Sequence, residues 1–139
     1  PVGAWIAVKE QFSLESIMLC LAVTFWVAGF DILYSLQDVD FDKKEGLKSI
    51  PVKFGIEKSL KISSVFHIIT FFFYVLAGFF YGAQIVYYIG LIVISPFLIY
   101  EHIIIKPNDL SKLNAAFFTI NGYVSILIFL FSMIDLYWR

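Results

Sequence analysis

A run of 39 residues without a single aspartate, glutamate, lysine or arginine, Ile62–Tyr100, constrains the fold more than any other feature. A membrane crossing needs roughly 20 mostly apolar residues, so the run is long enough for two. The tetrapeptide Tyr-Gly-Ala-Gln at Tyr81–Gln84 offers a turn between them. Only 15% of the whole chain is charged, whereas soluble domains have about a quarter. The sequence therefore predicts a membrane protein.

Two further apolar stretches complete the predicted architecture. The first lies between Glu15 and Asp38 and carries one charge, Asp31; the other runs from Leu113 to Ile134. We therefore expect an all-α, multi-pass transmembrane bundle with four crossings. Residues 1–8 resemble the tail of an earlier segment, and the chain starts without methionine, so we expect it to be a piece of a longer protein.

The distribution of lysines predicts the orientation. Six lysines follow the first span, whereas the turn at Tyr81–Gln84 has none and the next loop has Lys106 and Lys112. Positive residues favour the cytoplasmic side, so the aspartate-rich segment is expected there and both chain ends outside. We expect the membrane to be a bacterial inner (cytoplasmic) membrane. A formal net charge of −1 gives no indication of nucleic-acid binding.

Aspartates follow the first span with no loop between, in the stretch DILYSLQDVDFDKKEGLKS from position 31. If the helix continues, Asp38 and Asp42 lie within about 20° of Asp31, at 100° per residue. On the same helix, Tyr34 lies beside this stripe, and Asp40 points roughly 180° away. The pattern thus separates three carboxylates that share a face from one that does not.

Three carboxylates on one face repel one another unless a cation lies between them. Oxygen ligands suit Mg²⁺, which takes one or two carboxylates and completes its shell with water and phosphate oxygens. Lys48 and Lys53 can then face the phosphates. The simpler interpretation, a solvated cap after a transmembrane helix, explains Asp40 but not Asp31, which lies within the span. A calcium-binding EF-hand is disfavoured, because its sixth and twelfth positions would be Lys43 and Ser49.

The pattern Asp31-x-x-Tyr34-x-x-x-Asp38-x-x-x-Asp42, followed by GLKS and KFG, resembles the second aspartate-rich motif of the UbiA family of intramembrane aromatic prenyltransferases. The opening PVGAW and the later AAFFTINGYVS also resemble the C-terminal half of that family. The resemblance covers residues 1–139, as half of one domain, with the motif and its cytoplasmic loop at 31–61.

The resemblance implies a nine-helix enzyme that moves a polyprenyl group from polyprenyl diphosphate to an aromatic acid in quinone biosynthesis. The acceptor would be 4-hydroxybenzoate, for ubiquinone, or a menaquinone-pathway acid. By matching positions, Asp31, Asp38 and Asp42 would hold Mg²⁺ and diphosphate. Tyr34, Lys48 and, more weakly, Asn121 would contact substrate. The first aspartate-rich motif would lie in a missing N-terminal half, so this piece alone is expected to be inactive.

Two rival interpretations come from other classes. A transporter or channel would use Asp31 as an ion site within the membrane, and it predicts polar residues in other spans. A CDP-alcohol phosphotransferase would need Asp-Gly and Ala-Arg elements that the sequence lacks. Four remaining ionisable residues are given no role in catalysis: His67 and His102 as packing or interfacial groups, Glu101 as a loop charge, and Asp135 as an interfacial residue.

Overall fold

The computed structural model describes residues 1–138 of the chain as a bundle of helices. Their bounds are α1 Val2–Lys9, α2 Leu14–Ser35, a 3₁₀ turn Leu36–Asp38, α3 Val39–Lys44, α4 Ile50–Phe54, α5 Ile56–Tyr81, α6 Ile85–Ile104, a π-helix Ala115–Ile120 and α7 Asn121–Tyr137. Four helical segments are long and apolar enough to cross a membrane. The predicted all-α, multi-pass bundle is therefore confirmed.

The turn between α5 and α6 lies where the sequence predicts it. Helix α5 ends at Tyr81, and Gly82 follows with φ 70°, the left-handed conformation that glycine adopts without strain. The N–H of Ala83 donates to the carbonyl of Gly78 at 2.8 Å, which satisfies a carbonyl at the helix end. Helix α6 then begins at Ile85. The charge-free run Ile62–Tyr100 is thus two antiparallel spans.

At three glycines, side chains of neighbouring helices occupy the space that a Cβ would need. The most extensive contacts join α2 to α5 and α6 to α7. A Cβ at Gly29 would meet the imidazole of His67, one at Gly78 the ring of Tyr87, and one at Gly90 the Cβ of Phe131. Small residues let helix backbones approach closely within a membrane. The structure gives all three glycines a packing role.

Two clusters of buried apolar side chains hold the bundle together. One lies among α2, α5, α6 and α7: Ala22, Tyr74, Leu91, Ile94, Leu98 and Val124. In the other, the end of α2 packs against the segment before α7; its members are Leu33, Leu36, Ile105, Leu113, Ala116 and Ile120. The second cluster flanks Asp31 and Tyr34 along the chain, so it fixes the place where the aspartate-rich segment leaves the bundle.

Candidate functional site

The aspartate-rich segment continues α2 beyond its α-helical end. Helix α2 stops at Ser35, the 3₁₀ turn spans Leu36–Asp38, and α3 resumes at Val39. Asp31 and Asp38 are exposed, whereas Asp42 is half-buried. The chain thus presents all three predicted metal ligands along one continuous helical rod of 31 residues, Leu14–Lys44.

The 3₁₀ turn changes the predicted angular stripe. A 3₁₀ helix advances roughly 120° per residue instead of 100°, so Asp38 and Asp42 lie roughly 40° and 80° from Asp31 around the rod. The narrow stripe becomes a face nearly a quarter-turn wide. Asp40 is apart from the three, in a groove that Pro51 and Leu110 also line, and this agrees with its predicted exclusion from the trio.

Along the rod, the three carboxylates are spread out. Asp38 lies seven positions after Asp31, which corresponds to roughly 12 Å of rise along an α-helix that ends in a 3₁₀ turn. Accordingly, the ligand atoms of Asp31, Asp38 and Asp42 do not all come within 4.8 Å of one another. Among the described residues, the one group of three side chains that meets this distance lies elsewhere in the bundle. This chain does not itself gather the trio around one ion. Its donors suit ions that share their remaining ligands with phosphate.

The loop after α3 carries the predicted phosphate-binding lysines. Gly46 turns the chain with φ 67°, and the N–H of Leu47 donates to the carbonyl of Asp42 at 2.8 Å. Lys48 lies in this loop and Lys53 in α4, and both are exposed. Within residues 1–138, neither lysine forms an ion pair with the aspartates. Both amines are therefore available to an anionic ligand.

Tyr34 lies against the segment that leads into α7. Its ring centroid is 4.4 Å from that of Phe117, which belongs to the π-helix Ala115–Ile120, and Phe117 also packs edge-on against Phe30. The side chain of Tyr34 is 39% exposed. Tyr34, which is predicted to contact substrate, is thus held by aromatic contacts two residues before the 3₁₀ turn.

Asn121 is buried, and its amide group is used within the protein. Its Oδ1 accepts a hydrogen bond from Nε1 of Trp26 at 3.0 Å. Its Nδ2 donates to the carbonyls of Ala116 and Phe117, at 3.3 and 3.0 Å. These carbonyls belong to the π-helix, whose wider winding changes the backbone bonding. The structure therefore gives Asn121 a role in joining helices, beside the substrate contact that the sequence predicts.

The structure brings together a second polar group that the sequence interpretation left without a role. His67 of α5 meets Glu101 and His102 of α6, and their three ligand atoms lie within 4.8 Å of one another. The prediction that Glu101 is a loop charge is wrong, because Glu101 lies within α6 and is 0% exposed. The sequence contains a pattern that could have indicated this group. The charge-free run is followed by Glu101-His102, and the preceding span contains His67.

Asp135 is also buried, at 3% exposure, although the sequence predicted an interfacial residue. Its carboxylate oxygens accept hydrogen bonds from the N–H groups of Gln84 and Tyr87, at 2.9 and 3.0 Å. The first N–H groups of a helix lack partners within the helix. A carboxylate from α7 thus caps the start of α6.

Comparisons with known proteins find one family and several relatives. A family model described as "UbiA prenyltransferase family" matches residues 1–130. A 4-hydroxybenzoate octaprenyltransferase from Francisella tularensis subsp. novicida is 26% identical over 133 residues, covering 95% of this chain and 46% of that protein. One from Shewanella oneidensis is 29% identical over 126 residues, covering 91% of this chain and 43% of that protein. No solved structure matches significantly.

The chain spans about half the length of the curated relatives it matches. The family match, by contrast, covers nearly the whole chain, including every residue singled out in the aspartate-rich segment, its loop and α7 up to position 130. The chain belongs to the UbiA prenyltransferase family.

Proposed function

We propose that the protein containing this chain is an intramembrane prenyltransferase, which moves a polyprenyl group from polyprenyl diphosphate to an aromatic acid. The observation that carries the proposal is the helical rod from Leu14 to Lys44. It emerges from an apolar bundle and presents three carboxylates. Lys48, in the loop that follows, and Lys53, in α4, form no ion pair with the described acidic groups. With the family match, this arrangement favours a site that holds a diphosphate beside an apolar compartment.

The residues present fit a divalent ion of the magnesium type, because their donors are carboxylate oxygens that are exposed or half-buried. When bound, Mg²⁺ supplies positive charge that stabilises the departing diphosphate. We assign Asp31, Asp38 and Asp42 to holding the metal and diphosphate. Because the trio is spread along the rod, we expect each carboxylate to share its ion with phosphate oxygens and with the other half of the protein.

The remaining side chains have separate tasks in the proposed reaction. Lys48 and Lys53 pair with phosphate oxygens as the allylic carbon–oxygen bond breaks and its electron pair leaves with the diphosphate. A ring carbon of the acceptor then attacks the allylic cation, and the ring loses a proton. Tyr34, whose ring packs at a tilt against Phe117, is assigned to the wall of the site. The apolar helices exclude water that would otherwise capture the cation.

The relatives named above are 4-hydroxybenzoate octaprenyltransferases, so we propose 4-hydroxybenzoate as the first acceptor to test, with a menaquinone-pathway acid as the alternative. With either acceptor, the reaction would be a step of quinone biosynthesis. The lysine distribution supports placing the aspartate-rich loop on the cytoplasmic side, and we propose a bacterial inner membrane as the location. The other half of the protein would supply the first aspartate-rich motif.

The experiment that tests this function uses the complete protein in membranes. Label is followed from a polyprenyl diphosphate into each aromatic acid, with Mg²⁺ or with chelator, for wild type, Asp38→Asn and Asp40→Asn. We expect labelled aromatic product that disappears with chelator and in Asp38→Asn but persists in Asp40→Asn. The Asp40 variant removes the same charge from the same segment, so it controls for non-specific effects.

One observation favours keeping ion-coupled transport as a second candidate. The transporter hypothesis predicts polar groups in other spans, and His67 and Glu101 are both buried within α5 and α6. Asp31 would then be one of several intramembrane ion sites. A folded, complete protein that forms no product with any acceptor, yet moves ions across vesicle membranes in a manner that Asp31→Asn abolishes, would favour transport.

A further inference from the structure

Three ionisable side chains meet inside the bundle, away from the aspartate-rich segment. His67 is 3%, Glu101 0% and His102 15% exposed. Nε2 of His102 lies 2.9 Å from Nδ1 of His67 and 3.7 Å from Oε1 of Glu101. Nδ1 of His67 is also in direct contact with Oε1 of Glu101. The three atoms thus surround one point between α5 and α6.

The hydrogen bonding of His67 determines which of its nitrogens can bind a cation. Its Nε2 lies 3.3 Å from the carbonyl oxygen of Trp26. Because a carbonyl only accepts, Nε2 carries the hydrogen and Nδ1 is left with its lone pair. Metal-binding histidines commonly donate their other N–H to a carbonyl in this way. The bond to α2 therefore orients Nδ1 as an acceptor towards Glu101 and His102.

The protein alone does not supply enough positive charge for the acceptor atoms of this cluster. Among the described residues, Oε2 of Glu101 and Nδ1 of His102 have no hydrogen-bond partner. One proton can bridge only two of the three facing atoms, His67 Nδ1, Glu101 Oε1 and His102 Nε2, so the third acceptor stays uncompensated. Buried polar groups without partners are costly, and more so within a membrane. A cation that contacts all three facing atoms compensates the acceptor that a single proton leaves over.

We propose that His67, Glu101 and His102 form a binding site for a divalent metal ion of the zinc type. Two imidazole nitrogens and one carboxylate oxygen are a ligand set that zinc uses when a fourth position stays open. Zinc–ligand bonds are roughly 2.0–2.1 Å long, and the widest separation of the three atoms, 3.7 Å, is smaller than twice that length. One ion can therefore reach all three.

The surroundings suit this site in two respects. Gly29 of α2 has no Cβ where one would strike the imidazole of His67, so the ring lies directly against the helix backbone. A groove of about 540 Å³ runs beside His67 and His102, lined also by Ser64 and Ser95, and it leaves room for a fourth ligand. The nitrogen-rich donors distinguish this site from the all-oxygen aspartate segment, which suits magnesium.

The test measures metal directly and does not depend on the proposed prenyl transfer. The complete protein, purified with a histidine-free tag, is equilibrated with Zn²⁺ in excess Mg²⁺, freed of loosely bound metal and analysed for zinc per chain. The variants are Glu101→Gln and His102→Asn. Ser95→Ala is the matched control, because Ser95 lines the same groove and its hydroxyl donates to the carbonyl of Ile92 in its own helix.

We expect wild type and Ser95→Ala to retain the same amount of zinc, and Glu101→Gln and His102→Asn to retain one equivalent less. Co²⁺ in place of zinc should give wild type a visible absorption band that both variants lack. Equal zinc in all four proteins would overturn the proposal. The cluster would then be explained by a proton shared among its side chains. If the variants do not fold, the Tm of the wild-type protein decides. The proposal requires a higher Tm with zinc than with chelator, and equal Tm values would overturn it.

Discussion

Nε1 of Trp26, in α2, donates a hydrogen bond to Oδ1 of Asn121, in α7, across 95 residues of sequence. The backbone carbonyl of the same tryptophan accepts from His67 of α5. Trp26 therefore joins three helices through two different groups. Since Asp31 lies only five residues further along α2, these contacts set the position of the rod that carries the aspartates.

We expect the Trp26–Asn121 contact to contribute measurably to stability. Hydrogen bonds between membrane helices are worth roughly 0.6 to 1.7 kcal/mol. Asn121→Leu should lower the free energy of unfolding by more than Trp26→Phe, because it also leaves the carbonyls of Ala116 and Phe117 without their donor. A double-mutant cycle in mixed micelles measures the coupling. Additive effects would contradict the contact.

The Asn121→Leu variant also separates the two roles of Asn121. If the residue only joins helices, the folded fraction of the variant should keep the wild-type KM for both substrates. A several-fold rise in KM at unchanged stability would instead support the predicted substrate contact.

Gly90→Ala should destabilise the packing of α6 on α7. The added methyl group would collide with the Cβ of Phe131, which cannot rotate away, because its position is fixed by the backbone. Overpacking typically costs about 1–3 kcal/mol. Gly122→Ala in α7 is the control, since a Cβ there meets nothing within 4 Å. Thermal unfolding in detergent should show a lower Tm for the first variant alone, and equal Tm values would refute the close contact.

Asp135→Ala should loosen the start of α6. The substitution removes the acceptor for the N–H groups of Gln84 and Tyr87, and loss of a helix cap typically costs about 0.5–2 kcal/mol. Hydrogen exchange should rise at the first turn of α6 while the middle of α5 stays protected. Asp135→Asn, which keeps one oxygen acceptor, should lie between Ala and wild type. Unchanged protection in the Ala variant would exclude the cap.

Lys48→Met and Lys53→Met should weaken binding of the prenyl donor in the complete protein. Both lysines are exposed and form no ion pair with the described acidic groups, so their removal leaves no unpaired charge behind. We expect a rise in KM for polyprenyl diphosphate and little change for the aromatic acid. Lys58→Met, in the first turn of α5, is a control of equal charge. Loss confined to Lys58→Met would place the diphosphate elsewhere.

Asp31→Asn and Asp42→Asn should each reduce turnover by about 10²-fold or more, as removal of a group that stabilises transition-state charge does in other enzymes. Higher Mg²⁺ should partly restore Asp42→Asn if that carboxylate shares its ion with phosphate. Radiolabelled product formation measures both effects. Full activity of Asp31→Asn would show that the carboxylate within the span takes no part in catalysis.

Features that depend on residues close together in the chain could be predicted from the sequence. The four spans and the turn at Tyr81–Gln84 follow from charge-free length, because a bilayer accepts only long apolar helices. The separation of Asp40 from the other aspartates follows from helical periodicity.

Other features depend on contacts between distant parts of the chain. The 3₁₀ turn at Leu36–Asp38 widened the predicted stripe, since helix winding responds to packing such as that of Leu36 in its cluster. Asn121 and Asp135 have hydrogen-bond partners in other helices. The residues next to them in the chain do not indicate which partners these are.

Sequence by itself determined the class of the protein, its spans and the segment that bears the carboxylates, because hydropathy and helical spacing act over a few residues. Only the tertiary structure decided that Glu101 meets His67 and His102 inside the bundle. Periodicity shows which face a side chain occupies, but the partner on that face depends on how two helices pack, and packing is determined by contacts along their whole length.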